Sequence, residues 1–319
     1  MVMQIKQGWT KPSTVLFASE IPTNEAAARF ALAEARQFGA TLILFHAFDT
    51  MIVAASETSG IRYFDYAAAA HAEIHHLEPL AQQARSEGID CEIVVRPGLA
   101  ADQIIGFLRE REVDRIVLGT RAPGPLGKLL IGSVAEAVLR ASPAPALVIG
   151  PQVADARFRN YATRTIICGV TLREGSPVEA ALAAQLAAQH HARLVLLHAI
   201  SPQQRTEELA GRTMESIEAD MLALAPDALR KRITVLPIVV PGDPAEELLF
   251  QARAQEADLI VLGAHTASTL AAVTRQGVVS KVLAQAQCPV LTLSPAVLAA
   301  CGVHATTEHA AEVFLSSAF

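Results

Sequence analysis

The sequence has little of what marks several large classes of protein. Aromatic residues make up only 5% of its 319 residues, and its four cysteines are dispersed without a CxxC pair, which indicates free thiols and no disulfide framework. No apolar run approaches the roughly 18 residues of a membrane span. The first residues, MVMQIKQGWT, lack the apolar core of a signal peptide. The formal net charge of −6 argues against nucleic-acid binding. We therefore expect a cytoplasmic protein with no membrane span and no nucleic-acid partner.

What the chain has in abundance is a pattern of aliphatic segments, and that pattern is present twice. Arg115–Thr120 (RIVLGT) returns as Leu259–Ala264 (LIVLGA). Leu42–Ala47 (LILFHA) returns as Leu194–Ala199 (LVLLHA), so that the copies lie about 145–150 residues apart. A repeat of this size is too long for a solenoid unit and has the size of a whole domain. The sequence therefore predicts one domain that has been duplicated and fused.

Within each copy, aliphatic segments alternate with segments of helical periodicity. Strands are predicted at 14–18, 41–47, 91–95, 115–119 and 145–149, and again at 165–169, 193–199, 233–239, 258–263 and 289–293. Helices are predicted at 23–38, 66–87, 100–111 and 132–141, and again at 175–190, 205–225, 244–255 and 277–286. Such strands, separated by helices, are typical of buried parallel sheets. We predict an α/β fold of two tandem doubly wound five-stranded parallel sheets flanked by helices, in domains 1–155 and 156–319 with a linker at Pro151–Asn160.

With these segments in order, each half resembles the universal stress protein domain, and the whole chain resembles its tandem form. The resemblance covers roughly residues 12–150 and 163–294, and the first half carries it in TVLFASE, FGATLILFHAF, VVRPG and DRIVLGTRAPGPLGKLLIGSVAEAVLRASPAPALVI. It implies the strand order 3-2-1-4-5, ATP binding in many members, and association through the last strand. We therefore expect strands 145–149 and 289–293 to pair with pseudo-two-fold symmetry, and a homodimer of the whole chain is a further expectation.

The resemblance also implies a nucleotide site where the strand order reverses, between strands 1 and 4. The family signature is Gly-x-x-Gly, nine residues, then Gly-Ser or Gly-Thr, and it turns backbone amides towards phosphate oxygens. The first half reads Gly119-Thr120-Arg121-Ala122, nine residues, then Gly132-Ser133, so that alanine replaces the second glycine. The acidic residue that the family carries after strand 1 is the last of Ala18-Ser19-Glu20. The residues expected to bind ATP, with Mg²⁺ accompanying the triphosphate, are Ala18, Glu20, Gly119, Arg121, Ala122, Gly132 and Ser133.

The second half departs further from the signature. It reads Gly263-Ala264-His265-Thr266, nine residues, then Gln276-Gly277-Val278, and Thr171 stands at the acidic position. We expect this half either to be a structural partner or to bind something other than ATP. The predicted function is a stress-response nucleotide-binding module with at most slow ATP hydrolysis. The alternative is a nucleotide-free scaffold that binds a small or lipid-like molecule and acts through protein partners, because glycines after strands are also ordinary turn formers.

Other features have simpler interpretations. His71 and His75 share a helix face at the spacing of two zinc ligands, but no third ligand follows them, and a solvated helix face is the preferred interpretation. His46 and His198 occupy matching positions at the ends of the second strands, which is typical of a backbone-facing or pocket-rim role. The sequence contains no nucleophile elbow and no Walker lysine motif. The C-terminal tail has two interpretations, a short docked helix at residues 306–316, which we prefer, and a partly ordered end.

Overall fold

The computed structural model of the chain describes residues 5–48, 66–120, 132–153, 162–172, 176–202, 211–263 and 277–301. The strands within these residues are Thr14–Ala18 (β1), Thr41–Phe48 (β2), Cys91–Pro97 (β3), Arg115–Gly119 (β4), Ala146–Ile149 (β5), Thr165–Gly169 (β6), Arg193–Ile200 (β7), Val235–Pro241 (β8), Leu259–Gly263 (β9) and Val290–Leu293 (β10). Each lies within about two residues of its predicted bounds. The predicted helix at 306–316 and the linker residues 154–160 lie outside the described residues.

The helices of the described residues are Gln7–Thr10 (α1), Glu25–Phe38 (α2), Tyr66–Ser86 (α3), Ala100–Glu110 (α4), Ser133–Ala141 (α5), Ser176–His190 (α6), Met214–Leu224 (α7), Asp227–Arg230 (α8), Pro244–Ala254 (α9), Val278–Gln285 (α10) and Pro295–Ala300 (α11). Seven of the eight predicted helices are confirmed with small shifts. The helix predicted at 205–225 is shorter in the described residues, where α7 begins with its cap at Thr213. Among the described helices, none has both the length and the apolar character needed to cross a bilayer.

Local capping explains why the helices begin and end where they do. Asn24 precedes α2 and its side chain accepts a hydrogen bond from the amide of Ala27, while Gly39 ends the helix with a left-handed φ of 63°. Asp243 precedes α9 in the same way and accepts from two amides of the first turn. Pro244 stands at the first position of that helix, where its missing N–H removes no hydrogen bond.

The strands form a single ten-stranded sheet in the order β3-β2-β1-β4-β5-β10-β9-β6-β7-β8. Each half therefore has the predicted order 3-2-1-4-5, with parallel pairing inside the half. Aliphatic side chains from alternate positions of each strand fill two cores, one on each face of the sheet. In β1, for example, Val15 and Phe17 belong to one core and Leu16 to the other.

The two halves meet through their last strands. β5 and β10 are antiparallel, and Leu147 pairs with Leu291, each being the second residue of its strand. A pairing of equivalent residues is the geometry of a two-fold axis, so the predicted pseudo-two-fold relation and the predicted strand pairing are confirmed. Thr292 strengthens the contact, because its hydroxyl donates to the carbonyl oxygen of Ala146 over 3.1 Å.

Just beyond these strands, the backbones of the two halves come close together. The hydroxyl of Ser294, which follows β10, donates to the carbonyl oxygen of Ser142 at the end of α5. Gly150 occupies the equivalent position after β5, and a Cβ there would overlap the carbonyl oxygen of Leu283 in α10. Gly150 is therefore needed because the backbone of the other half occupies the space of its side chain.

A buried ion pair ties the N-terminal segment to the first half. The guanidinium of Arg115, the first residue of β4, pairs with the carboxylate of Glu34 on α2, and the two side chains are only 4% and 2% exposed. The same guanidinium donates to the carbonyl oxygen of Trp9 in α1 over 2.6 Å. The second half has no such pair, because its equivalent positions hold Leu186 and Leu259 in the core.

Candidate functional site

The candidate site lies at the carboxyl edge of the sheet, where the chain leaves β1 and β4. These strands are neighbours, with Ala18 opposite Leu118, while the connections from them run to opposite sides of the sheet. Such a reversal opens a crevice between adjacent loops, and open α/β sheets bind ligands there. Of the predicted site residues, the structure brings Ala18, Glu20 and Gly119 to this edge.

Asn24, which the sequence prediction did not include, is a further residue of this edge. Its side-chain oxygen accepts from the amide of Ala27 over 3.0 Å, and its side-chain amide lies where Gly119 would carry a Cβ. A side chain at position 119 would therefore displace Asn24 and break its hydrogen bond to the first turn of α2. The signal in the sequence was an asparagine directly before a helical segment, a preferred N-cap. Gly119 thus has a packing role, and contact of Gly119 with a phosphate stays a prediction.

A histidine near the end of β2 contacts the loop that leaves β1. Nδ1 of His46 lies 2.9 Å from the carbonyl oxygen of Ser19, and it is the donor because a carbonyl can only accept. Its Nε2 lies 3.7 Å from a carboxylate oxygen of Glu73 on α3. In the second half, Nδ1 of His198 makes the same contact with the carbonyl oxygen of Val170, also at 2.9 Å. The predicted backbone-facing role of this matched pair is confirmed.

Gly132 and Ser133 lie at the exposed start of α5. Gly132 has φ −59° and ψ 147°, an extended conformation open to any residue, and among the described residues outside its immediate chain neighbours no atom lies within 4 Å of where its Cβ would be. Neither strain nor packing therefore calls for glycine at this position. Arg121 and Ala122 lie outside the described residues, so the course of the loop between β4 and α5 stays a prediction.

The same edge of the second half is occupied by its own side chains. The amide of Thr171 donates to the hydroxyl oxygen of Ser176 over 3.0 Å, which joins the turn after β6 to the start of α6. The carboxylate of Glu179, fully buried at 0% exposure, lies over Gly263, where a Cβ would otherwise be. Gly263 ends β9 as Gly119 ends β4. A carboxylate thus stands in the second half where an amide stands in the first.

The four cysteines are buried thiols that form no disulfide. Burial, and after it the charge of Glu179, raise the pKa of the Cys168 thiol well above its usual range. Burial also raises the pKa of the Cys91 thiol to about 11. Because the thiolate is the reactive form, these side chains are packing residues at neutral pH.

The histidines of α3 lie on its solvated face, as predicted. His71, His75 and His76 are exposed, and Nδ1 of His71 lies 2.7 Å from the carbonyl oxygen of Ala67 in the preceding turn. Within the part of the chain that the structure describes, no three His, Cys, Asp or Glu side chains are grouped to hold a metal ion.

Comparison with known proteins shows the family to which the chain belongs. A sequence profile of the universal stress protein family matches residues 13–150 and 162–294. Universal stress protein Mb2019 of Mycobacterium bovis is 30% identical over 214 residues, which are 62% of this chain and 64%, or just under two thirds, of that protein. A universal stress protein of Mycolicibacterium smegmatis is 32% identical over 104 residues, which are 32% of this chain and 78% of that protein.

Solved structures show the same fold. A crystal structure of a universal stress protein from Archaeoglobus fulgidus superposes with a TM-score of 0.66 at 16% identity and covers 88% of this chain and 96% of that chain. The crystal structure of protein PA1789 of Pseudomonas aeruginosa, described as functionally unknown, superposes with a TM-score of 0.59 at 19% identity and covers 93% of this chain and 98% of that chain. At these identities the similarity concerns the fold alone.

Proposed function

Because this chain belongs to the universal stress protein family, with two of its domains in tandem, we propose that it is a stress-response module that binds ATP in its first half. The observation that carries the proposal is the reversal of strand order between the neighbouring strands β1 and β4, where open α/β sheets bind ligands. There the residues around Ala18 and Gly119 meet, and the signature spacing leads from Gly119 to the start of α5. The second half then acts as the structural partner that completes the ten-stranded sheet.

Each residue of the site has a role that follows from its chemistry. Backbone amides at the start of α5 would face the phosphates, since a helix start attracts anions, and the hydroxyl of Ser133 would add a donor. Arg121 would bring a positive charge to the loop, and the carboxylate of Glu20 would accept hydrogen bonds from ribose hydroxyls. Mg²⁺ would bind between the phosphate oxygens. This set holds a nucleotide but offers no evident general base, so we propose binding with at most slow hydrolysis.

The first test is the stoichiometry of binding. Calorimetric titration of the full chain with ATP and Mg²⁺ is expected to show one site per chain. Replacing Gly132 by valine should weaken binding at least tenfold, because a branched side chain would enter the phosphate region. We expect the variant to fold, since the described part of the chain places no atom against the Cβ position of residue 132. A tenfold loss corresponds to about 1.4 kcal/mol.

The matched control is Gly277→Val, at the equivalent helix start of the second half. It should leave the affinity for ATP unchanged. Two equivalent sites, or binding that Gly132→Val does not alter, would contradict the assignment to the first half. No binding at all, and no nucleotide in an acid extract of the purified protein, would favour the nucleotide-free scaffold.

The second test concerns Ala122, the departure from the family signature. Restoring glycine should tighten ATP binding by roughly five- to tenfold, because an alanine in a phosphate loop costs about 1 kcal/mol against glycine. Binding that appears only in Ala122→Gly would mean that the natural chain has lost its nucleotide. An unchanged affinity would show that the loop accepts alanine without strain.

A further inference from the structure

We propose that Glu179 makes the second half selective against phosphate-bearing ligands. The inference rests on the proposed function of the first half, since it explains why only that half would hold a nucleotide. It concerns the side chain that lies over the last residue of β4 in the first half and of β9 in the second half. That side chain is the neutral amide of Asn24 over Gly119, and the carboxylate of Glu179 over Gly263.

The two arrangements are alternative solutions to the same packing problem. Counted back from the last residues of α2 and α6, Ala27 is the counterpart of Glu179, and Asn24 is the counterpart of Ser176. In the first half the small Ala27 leaves room, and the asparagine amide fills the space over the glycine. In the second half the shorter serine is bonded to Thr171, and the glutamate fills the corresponding space.

The difference in charge decides what can bind beside the glycine. The amide of asparagine offers N–H donors, which suit an anion, whereas an ionised carboxylate only accepts hydrogen bonds. The carboxylate of Glu179 is shielded from solvent at 0% exposure. Its field is therefore screened less than that of a surface charge. A phosphate beside Gly263 would meet a like charge, whereas an uncharged nucleoside would not.

The decisive experiment gives the first half the serine and glutamate that the second half has at the equivalent positions. The double variant Asn24→Ser/Ala27→Glu places a carboxylate over Gly119, and Asn24→Ser/Ala27→Gln is its neutral control. Titration with ATP and, separately, with adenosine should show that the glutamate variant binds ATP at least tenfold more weakly than the glutamine variant. The affinity for adenosine should agree within about twofold between the two. Circular dichroism and thermal unfolding check that both are folded.

Equal losses of ATP binding in the two variants, or a parallel loss of adenosine, would overturn the proposal, because the effect would then be one of shape and not of charge. If the glutamate variant does not fold, or the natural chain binds no ATP, the proposal is tested with variants of the second half. Glu179→Gln and Glu179→Ala are then titrated with ATP in the Gly132→Val chain. Binding gained in either variant, above the Gly132→Val chain alone, supports the proposal, and no gain in folded variants overturns it. In this way a failure of the proposed function is separated from a failure of the inference.

Discussion

Replacing Arg115 by leucine is expected to lower the free energy of unfolding by about 3–5 kcal/mol. The carboxylate of Glu34 would lose its cation while only 2% of the side chain is exposed to water. The carbonyl oxygen of Trp9 would lose its hydrogen bond to the guanidinium as well. Urea unfolding followed by circular dichroism measures the loss, and the fluorescence of Trp9, the one tryptophan of the chain, reports whether α1 detaches first.

The matched control is the double variant Glu34→Leu/Arg115→Leu. It should recover most of the lost stability, because a buried ion pair and a well-packed apolar pair are often of similar stability. The second half already has an apolar pair at these positions, since Leu186 and Leu259 are the equivalents of Glu34 and Arg115. The single variant Glu34→Leu completes the comparison. If the stability losses of Arg115→Leu and Glu34→Leu simply add in the double variant, the two side chains do not interact as the structure indicates.

Replacing Gly150 by alanine is expected to lower the free energy of unfolding by about 2–3 kcal/mol. The new methyl group would overlap the carbonyl oxygen of Leu283, which is a backbone atom of the other half. A side chain could turn away from such a contact, but here α10 must move relative to β5. The expected result is a lower thermal midpoint together with a weakened contact between the halves, which limited proteolysis near the linker would detect.

Gly106→Ala is the control for the change of residue type alone. Gly106 lies inside α4, and the nearest protein atom to its Cβ position is Oε1 of Glu110, at 3.9 Å. Alanine there should raise stability by about 0.5–1 kcal/mol, because glycine is unfavourable inside a helix. If Gly150→Ala behaved like Gly106→Ala, the two halves could not be packed as closely as the structure has them.

Much of the fold could be predicted because it depends on local patterns. The apolar strands and periodic helices around them follow from residue order alone, and so do caps such as Asp243-Pro244. The resemblance to the universal stress protein family implied the pairing of the last strands, which the pairing of Leu147 with Leu291 confirms. The helix predicted at 205–225 is described only from Met214, after the cap at Thr213, and residues 205–210 of that prediction lie outside the described residues.

The site was only partly predictable. The signature spacing indicated Gly119 and Gly132, and the structure shows that these glycines differ in kind, since one is packed against Asn24 and the other is open. Asn24 and Glu179 did not stand out in the sequence, where one reads as a helix cap and the other as a single acid in an alanine-rich helix. Their importance comes from neighbours that are distant along the chain.

The sequence by itself determined the elements, their order and the duplication, because hydrophobic periodicity and capping act over a few residues. Only the tertiary structure decided which side chain lies over the end of β4 and β9, because that depends on the distance between a helix start and a strand end about 90 residues away. An amide in one half and a buried carboxylate in the other occupy the same place in the fold. The physical reason is that packing and Coulomb interactions depend on the distance between atoms in the folded protein, and segments far apart along the chain can lie side by side there.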